Sequence, residues 1–157
     1  MALSLQKFRE IVFQVLFSFD FVSLPEESEE EEIIEFIMQQ LSVTKKTMRE
    51  AIAKQKLIRE HLTEIDALIT KFSLSYDFDR IAQVEKGVLR LAIYELCFEH
   101  SVPPRVVMSE AVRLSRKFGT AESSGFVNAV LDSIYKSQDP SISSEKEDEL
   151  TPALSGS

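Results

Sequence analysis

QVEKGVLRLAIYEL (residues 83–96) and VPPRVVMSEAVRLSRKFGTAESSGFVNAVLDSI (residues 102–134) are the stretches on which the fold class turns. In the first, Val84, Val88 and Leu91 recur at helical spacing and predict a helical run over residues 81–99. In the second, Val107, Ala111, Leu114 and Phe118 follow at steps of four, three and four, with Arg105, Ser109, Arg113 and Arg116 opposite. Pro103 and Pro104 end one helix and open the next. Gly119 is placed to end that helix and Thr120 to cap another, which Phe126, Val127, Val130, Leu131 and Ile134 would anchor to a core.

Upstream, residues 73–80 read as a loop with Asp77 and Asp79 as capping candidates. Residues 43–72 keep a helical pattern and predict two helices with a joint near residues 59–62. At the N-terminus Leu5, Phe8, Ile11, Val12, Val15, Leu16 and Phe19 form one apolar stripe, and Phe13, Phe17 and Phe21 form a second. A helix apolar over so much of its circumference is either deeply buried or meets a partner. Ser23, Leu24 and Pro25 break it, and the glutamates that follow sit against the positive end of the next helix dipole. Ile33, Ile34, Phe36, Ile37 and Leu41 are the expected buried side of that second helix. Residues 138–157 are Ser-, Glu- and Pro-rich with few apolar groups to offset ordering entropy, so they are expected to be a disordered acidic tail behind a single domain spanning residues 1–137.

A chain of 157 residues can bury roughly 68–70% of its unfolded surface in one domain. Only four Gly and five Pro leave little material for all-β turns, so the expectation is all-α. The lone Cys97 excludes an internal disulfide, and no apolar run reaches the roughly 18 residues of a membrane span. Lys7, Arg9, Glu10 and Asp20 interrupt the apolar N-terminus, so it does not read as a signal peptide and a cytoplasmic location is expected. The net charge is −8, but seven glutamates lie between residues 26 and 35, and the tail adds five acids against Lys146 alone. Residues 36–136 carry fifteen bases against twelve acids, a body compatible with RNA.

Catalytic patterns are missing from the sequence: it has no glycine-rich phosphate loop, no metal-ligand spacing and neither HExxH nor GxSxG. No cofactor is expected, and His61 and His100 read as surface residues beside turns. Cys97 lies in an apolar helix and reads as a structural thiol. Glu95 falls on the stripe of Val84, Val88 and Leu91, where a carboxylate needs a cation or backbone donors, so it reads as half of a structural ion pair. Asn128, at the edge of the last apolar face, reads as a hydrogen-bonded structural residue.

The ordered pieces V-E-K, R-L-A-x-Y-E-L, V-P, E-A-x-x-L-x-x-K-F-G and F-V-N-x-V-L-D, with REIVFQVLFSFD at residues 9–20, resemble the NusB family of transcription antitermination factors. The resemblance implies two packed helical bundles of about six to seven helices and no enzymatic activity. It further implies binding of boxA-type single-stranded RNA of ribosomal RNA operons together with ribosomal protein NusE, within an antitermination complex on RNA polymerase. The RNA-contacting positions it implies are Gln6, Lys7, Arg9, Phe17, Glu122, Ser123 and Phe126, and those facing NusE are Asp79 and Glu85. Cations there would neutralise phosphates and an aromatic could stack on an unpaired base.

The match departs from the family at informative places. Leu5 and Gln6 stand where arginines are expected, Phe17 replaces a tyrosine, and Ser124 and Gly125 replace a His-Lys pair. Weaker or more partner-dependent RNA binding is therefore expected, and a protein-protein adaptor of the same fold with weakened or lost RNA binding is the rival reading. Two stripes, Lys45/Arg49/Lys56/Arg59 and Arg105/Arg113/Arg116, either compensate or are solvated surface, just as Asp79 and Glu85 either face a partner or water. A homodimer through the same surfaces is a further alternative. NusB-like domains also occur fused to RNA methyltransferases, but with 23 residues after the match no cofactor-binding domain is expected here.

Overall fold

The computed structural model describes residues 4–20, 27–74 and 77–138. Among them there are seven α-helices and no strand: α1 (Leu5–Asp20), α2 (Glu27–Leu41), α3 (Lys45–Glu60), α4 (Leu62–Phe72), α5 (Gln83–Tyr94), α6 (Pro104–Phe118) and α7 (Ala121–Ser137). The first three pack on one another, α4 to α7 form a second group, and α1 lies against α5 to join the two. This is the all-α, two-bundle architecture expected. No helix among the described residues is long and apolar enough to cross a membrane.

Burial explains why α1 is apolar nearly all round. Ile11, Val12, Phe13, Val15 and Leu16 are all but sealed from solvent, as are Val88, Leu89, Leu91 and Ile93 of α5. Each such side chain contributes about 1.5–3 kcal/mol, so this junction is the centre of the fold. Phe13 is therefore a core residue, and Phe17 is half-buried beside it with ring centroids 5.8 Å apart. Phe21, the 23–25 break and residues 139–157 lie outside the described residues. Gln138, assigned to the tail from its sequence, is described, and its amide donates to Cys97 Sγ at 3.2 Å.

Two stripe assignments need correction. Leu5 is 69% exposed and Phe36 is 61% exposed, because among the described residues no helix covers that side of the first turn of α1 or of α2. Periodicity locates a face; it does not say how far the covering element extends.

The helix joints follow local chemistry. Thr44 caps α3, its hydroxyl accepting the Thr47 N–H at 3.2 Å. The joint expected near residues 59–62 is the single residue His61, between α3 and α4. His61 is half-buried, with its ring 4.3 Å from that of Phe98. Asp77 and Asp79 do not cap α5: Asp77 precedes a short 3₁₀ turn, Phe78–Arg80, that contains Asp79, and α5 begins after Ala82. Glu85 serves there instead, its carboxylate accepting the Ala82 N–H at 3.3 Å.

Past Tyr94, α5 widens into a π-helical turn, Glu95–Glu99, which His100 ends with a left-handed φ of 58°. Gly119 does terminate α6, but its backbone is extended. Glycine is needed there for space, since a Cβ would stand 2.8 Å from both the Ser115 carbonyl and Ser123 Oγ.

Candidate nucleic-acid interface

Along one side of α1 the residues Gln6, Glu10, Phe13 and Phe17 recur at steps of four, three and four, and the first three meet α6 in a seam. Arg113 of α6 donates from Nη1 to Glu10 Oε1 at 2.7 Å, from Nε to Glu110 Oε2 at 3.0 Å and from Nη2 to the Gln6 carbonyl at 3.3 Å. Lys117 adds a bond from Nζ to Glu10 Oε2 at 3.0 Å, and the Gln6 amide donates to Glu110 at 3.3 Å. The seam then turns apolar, with the Phe13 and Phe118 ring centroids 4.9 Å apart. Phe118 directly precedes the α6–α7 turn, and Phe13 meets both its ring and that of Phe17.

Burial alone would raise the pKa of the Glu10 carboxyl, but the hydrogen bonds and charges of Arg113 and Lys117 outweigh it, and the pKa is lowered. The same contacts, those to Glu110 first, raise the pKa of Arg113 against the effect of its burial. A carboxylate whose pKa is depressed in the folded state stabilises the fold above its unfolded value and loses that contribution as the pH falls through the folded one. Glu10→Gln is therefore expected to lower Tm by roughly 3 °C at neutral pH, with the difference vanishing in acid below the ordinary glutamate range. Melting curves from pH 7 to pH 3 check this, and a pH-independent gap would show that the charge of Glu10 is not what stabilises.

On the other side of α1, Arg9 is only 4% exposed. Its Nε donates to Glu95 Oε2 at 3.1 Å, and its Nη1 stands 3.6 Å from Glu110. Lys54 of α3 completes the cluster at 3.3 Å from both Glu95 and Glu99. Glu95 is thus the buried ion-pair residue expected from its place on the apolar stripe, and the π turn brings Glu99 onto the same lysine. Arg9, expected among the RNA-contacting positions, is buried, and its guanidinium already has two carboxylates.

The other positions divide similarly. Gln6 is exposed, Lys7 and Phe126 are half-buried, and Glu122 is exposed. Ser123 is 3% exposed, and its hydroxyl accepts the Thr120 N–H at 3.2 Å; it organises the start of α7 and does not face solvent. Asn128, expected to be a structural hydrogen-bonding residue, is exposed. Asp79 is exposed, and the Glu85 carboxylate is engaged with the Ala82 N–H.

Of the two basic stripes, Lys45, Arg49 and Lys56 are exposed on the single helix α3, whereas Arg59 pairs with Asp20 at 3.5 Å. Arg113 is engaged in the seam, and Arg105 and Arg116 are exposed. Lys117 and Arg90 were missed in the sequence. Arg90 is buried and fastens α5 to α4 and α1 through Asp66 at 2.9 Å and Asp20 at 2.8 Å. The only signal was a cation inside an apolar run. Among the described residues no three His, Cys, Asp or Glu side chains are grouped to hold a metal ion.

The sequence of residues 6–136 matches the model of the NusB family. The chain belongs to this family. Among its relatives, the transcription antitermination protein NusB of Agathobacter rectalis is 40% identical over 126 residues, covering 80% of this chain and 94% of that protein. That of Nitratiruptor sp. is 37% identical over 128 residues, covering 82% and 88%. NusB of T. maritima superposes with a TM-score of 0.76 at 34% identity, covering 92% of this chain and 99% of that one. A chain from the crystal structure of antitermination factors NusB and NusE in complex with dsRNA gives 0.70 at 29% identity, covering 83% and 95%. The NusB fold thus runs through both bundles, and the α1–α6 seam falls within the matched residues.

Proposed function

We propose that this protein is a non-enzymatic cytoplasmic transcription antitermination factor that binds boxA-type single-stranded RNA together with ribosomal protein NusE and joins an RNA polymerase complex. The observation that carries this is family membership across residues 6–136, with relatives named for antitermination that align over most of their length. The RNA face is the outer edge of the α1–α6 seam and the start of α7. Lys7 would neutralise a phosphate, Phe17 and Phe126 offer partly open rings for a base, and Gln6 and Glu122 supply polar groups. Arg9 and Ser123 act behind this face, the first holding α1 and the second shaping the α6–α7 turn.

Asp79 and Glu85, at the entry of α5, are the acidic positions for basic side chains of NusE. One observation favours the adaptor reading: burial of Arg9 leaves Lys7 as the accessible cation of α1 among the described residues, so RNA affinity without the partner should be low.

Fluorescence anisotropy with a boxA-type strand and a scrambled strand, with and without NusE from the same organism, separates the two. Antitermination predicts a preference for boxA that NusE strengthens, and a loss of about tenfold in Lys7→Ala/Phe17→Ala. Equal or absent binding of both strands in the presence of NusE would leave the protein-only adaptor.

A further inference from the structure

A shallow groove of about 400 Å³ runs between α6 and α7, lined by Met108, Ser109, Val112, Arg113, Arg116 and Asn128. Met108 and Val112 are half-buried and form its apolar floor, while Ser109, Arg116 and Asn128 are exposed at its rim. Among the described residues none of these three rim side chains has a hydrogen-bonding or ionic partner. Arg113 lines the groove and also pairs with Glu10 and Glu110 in the seam, so groove and seam meet at this residue.

We propose that this groove is a subsite for one unpaired nucleotide of a single-stranded RNA that continues beyond the α1–α6 seam, which rests on the RNA-binding reading above. The base would lie on the thioether and methyl groups of Met108 and Val112. The Asn128 amide carries both donors and an acceptor and can read a base edge, and the planar Arg116 guanidinium suits a phosphate. The groove volume falls within the range of small-ligand sites. Charge favours nucleic acid: Glu10 and Glu110, the carboxylates that Arg113 meets, are balanced by Arg113 together with Lys117, which leaves Arg116 without a counter-charge among the described residues.

The test is anisotropy of the full chain with NusE on boxA-type and scrambled single strands across a salt series. It uses Arg116→Ala, Asn128→Ala and, as a charge control elsewhere, Lys56→Ala on the exposed face of α3. Both groove variants are expected to bind boxA-type RNA about fivefold or more weakly. Arg116→Ala should also reduce the salt slope by about 1, and Asn128→Ala should leave the slope intact while narrowing the preference over the scrambled strand. Lys56→Ala should change binding by less than about twofold if the site is local. All three side chains are exposed, so the folds should be kept, as melting curves will verify.

Groove variants indistinguishable from wild type, or an Arg116→Ala effect no larger than that of Lys56→Ala, overturn the subsite. If Lys7→Ala/Phe17→Ala still weakens binding in that case, the RNA-binding reading stands. Loss of NusE binding with RNA binding unchanged would make the groove a protein contact and also overturn it. No RNA binding by wild type with NusE present would remove both readings together.

Discussion

Glu95→Ala is expected to lower the stability of the protein by about 3–5 kcal/mol, because it leaves a buried guanidinium without its main counter-charge. Glu95 is 2% exposed and Arg9 4%, so neither can turn to water for compensation. What remains to Arg9 is the longer contact to Glu110 at 3.6 Å, and Glu110 is already shared with Arg113 and Gln6. Lys54 would lose one of its two carboxylates, with Glu99 left at 3.3 Å. For a chain of this size the cost corresponds to a fall in Tm of roughly 10 °C.

Urea unfolding measures the cost directly, and the double variant Arg9→Met/Glu95→Leu, which removes both charges, should recover much of it. A single variant within about 1 kcal/mol of wild type would mean that Arg9 is not held by this carboxylate. The loss should also reach function, because the α1 backbone that Arg9 anchors is the one that presents Gln6 and Lys7. RNA binding near the melting transition should fall before the helix signal does.

The second large effect is predicted at Gly87. A Cβ there would stand 2.9 Å from Phe13 Cε1 and 3.3 Å from Cδ1, and Phe13 is 1% exposed. The ring cannot retreat, since Phe118 and Phe17 pack around it at centroid distances of 4.9 Å and 5.8 Å. Alanine would gain about 1 kcal/mol of helix propensity and lose about 1–3 kcal/mol to overpacking, which makes it neutral to mildly destabilising. Gly87→Val has no such propensity gain in full and a larger clash, so a loss of about 3 kcal/mol or more is expected. Phe13→Leu in the same chain should return part of it, a coupling that denaturation of the four variants would measure. Independent, additive losses would show that α1 and α5 do not meet at this glycine.

Local pattern carried the helices and the ion-pair character of one residue. The period of Val107, Ala111, Leu114 and Phe118 made α6 readable, and Pro104 and Gly119 marked its ends, because helix periodicity and termination are properties of neighbouring residues. Glu95 could be recognised as an ion-pair residue from its place on an apolar stripe, although its partner could not. The family resemblance, carried by ordered motifs in residues 83–134, likewise needed only the chain.

What only the tertiary structure decided are the pairings across sequence distance. Arg9 and Glu95 are 86 residues apart, and Arg113 and Glu10 are 103 apart. A cation's accessibility therefore depends on helices that the local pattern of α1 cannot register. The same reason accounts for Leu5 and Phe36, apolar positions on correct faces that no element covers among the described residues, and for Gly87, whose need for glycine comes from a ring on another helix. Sequence by itself determined which residues form helices and which family they belong to; packing determined which charges face water, because burial is a relation between elements and not a property of any one of them.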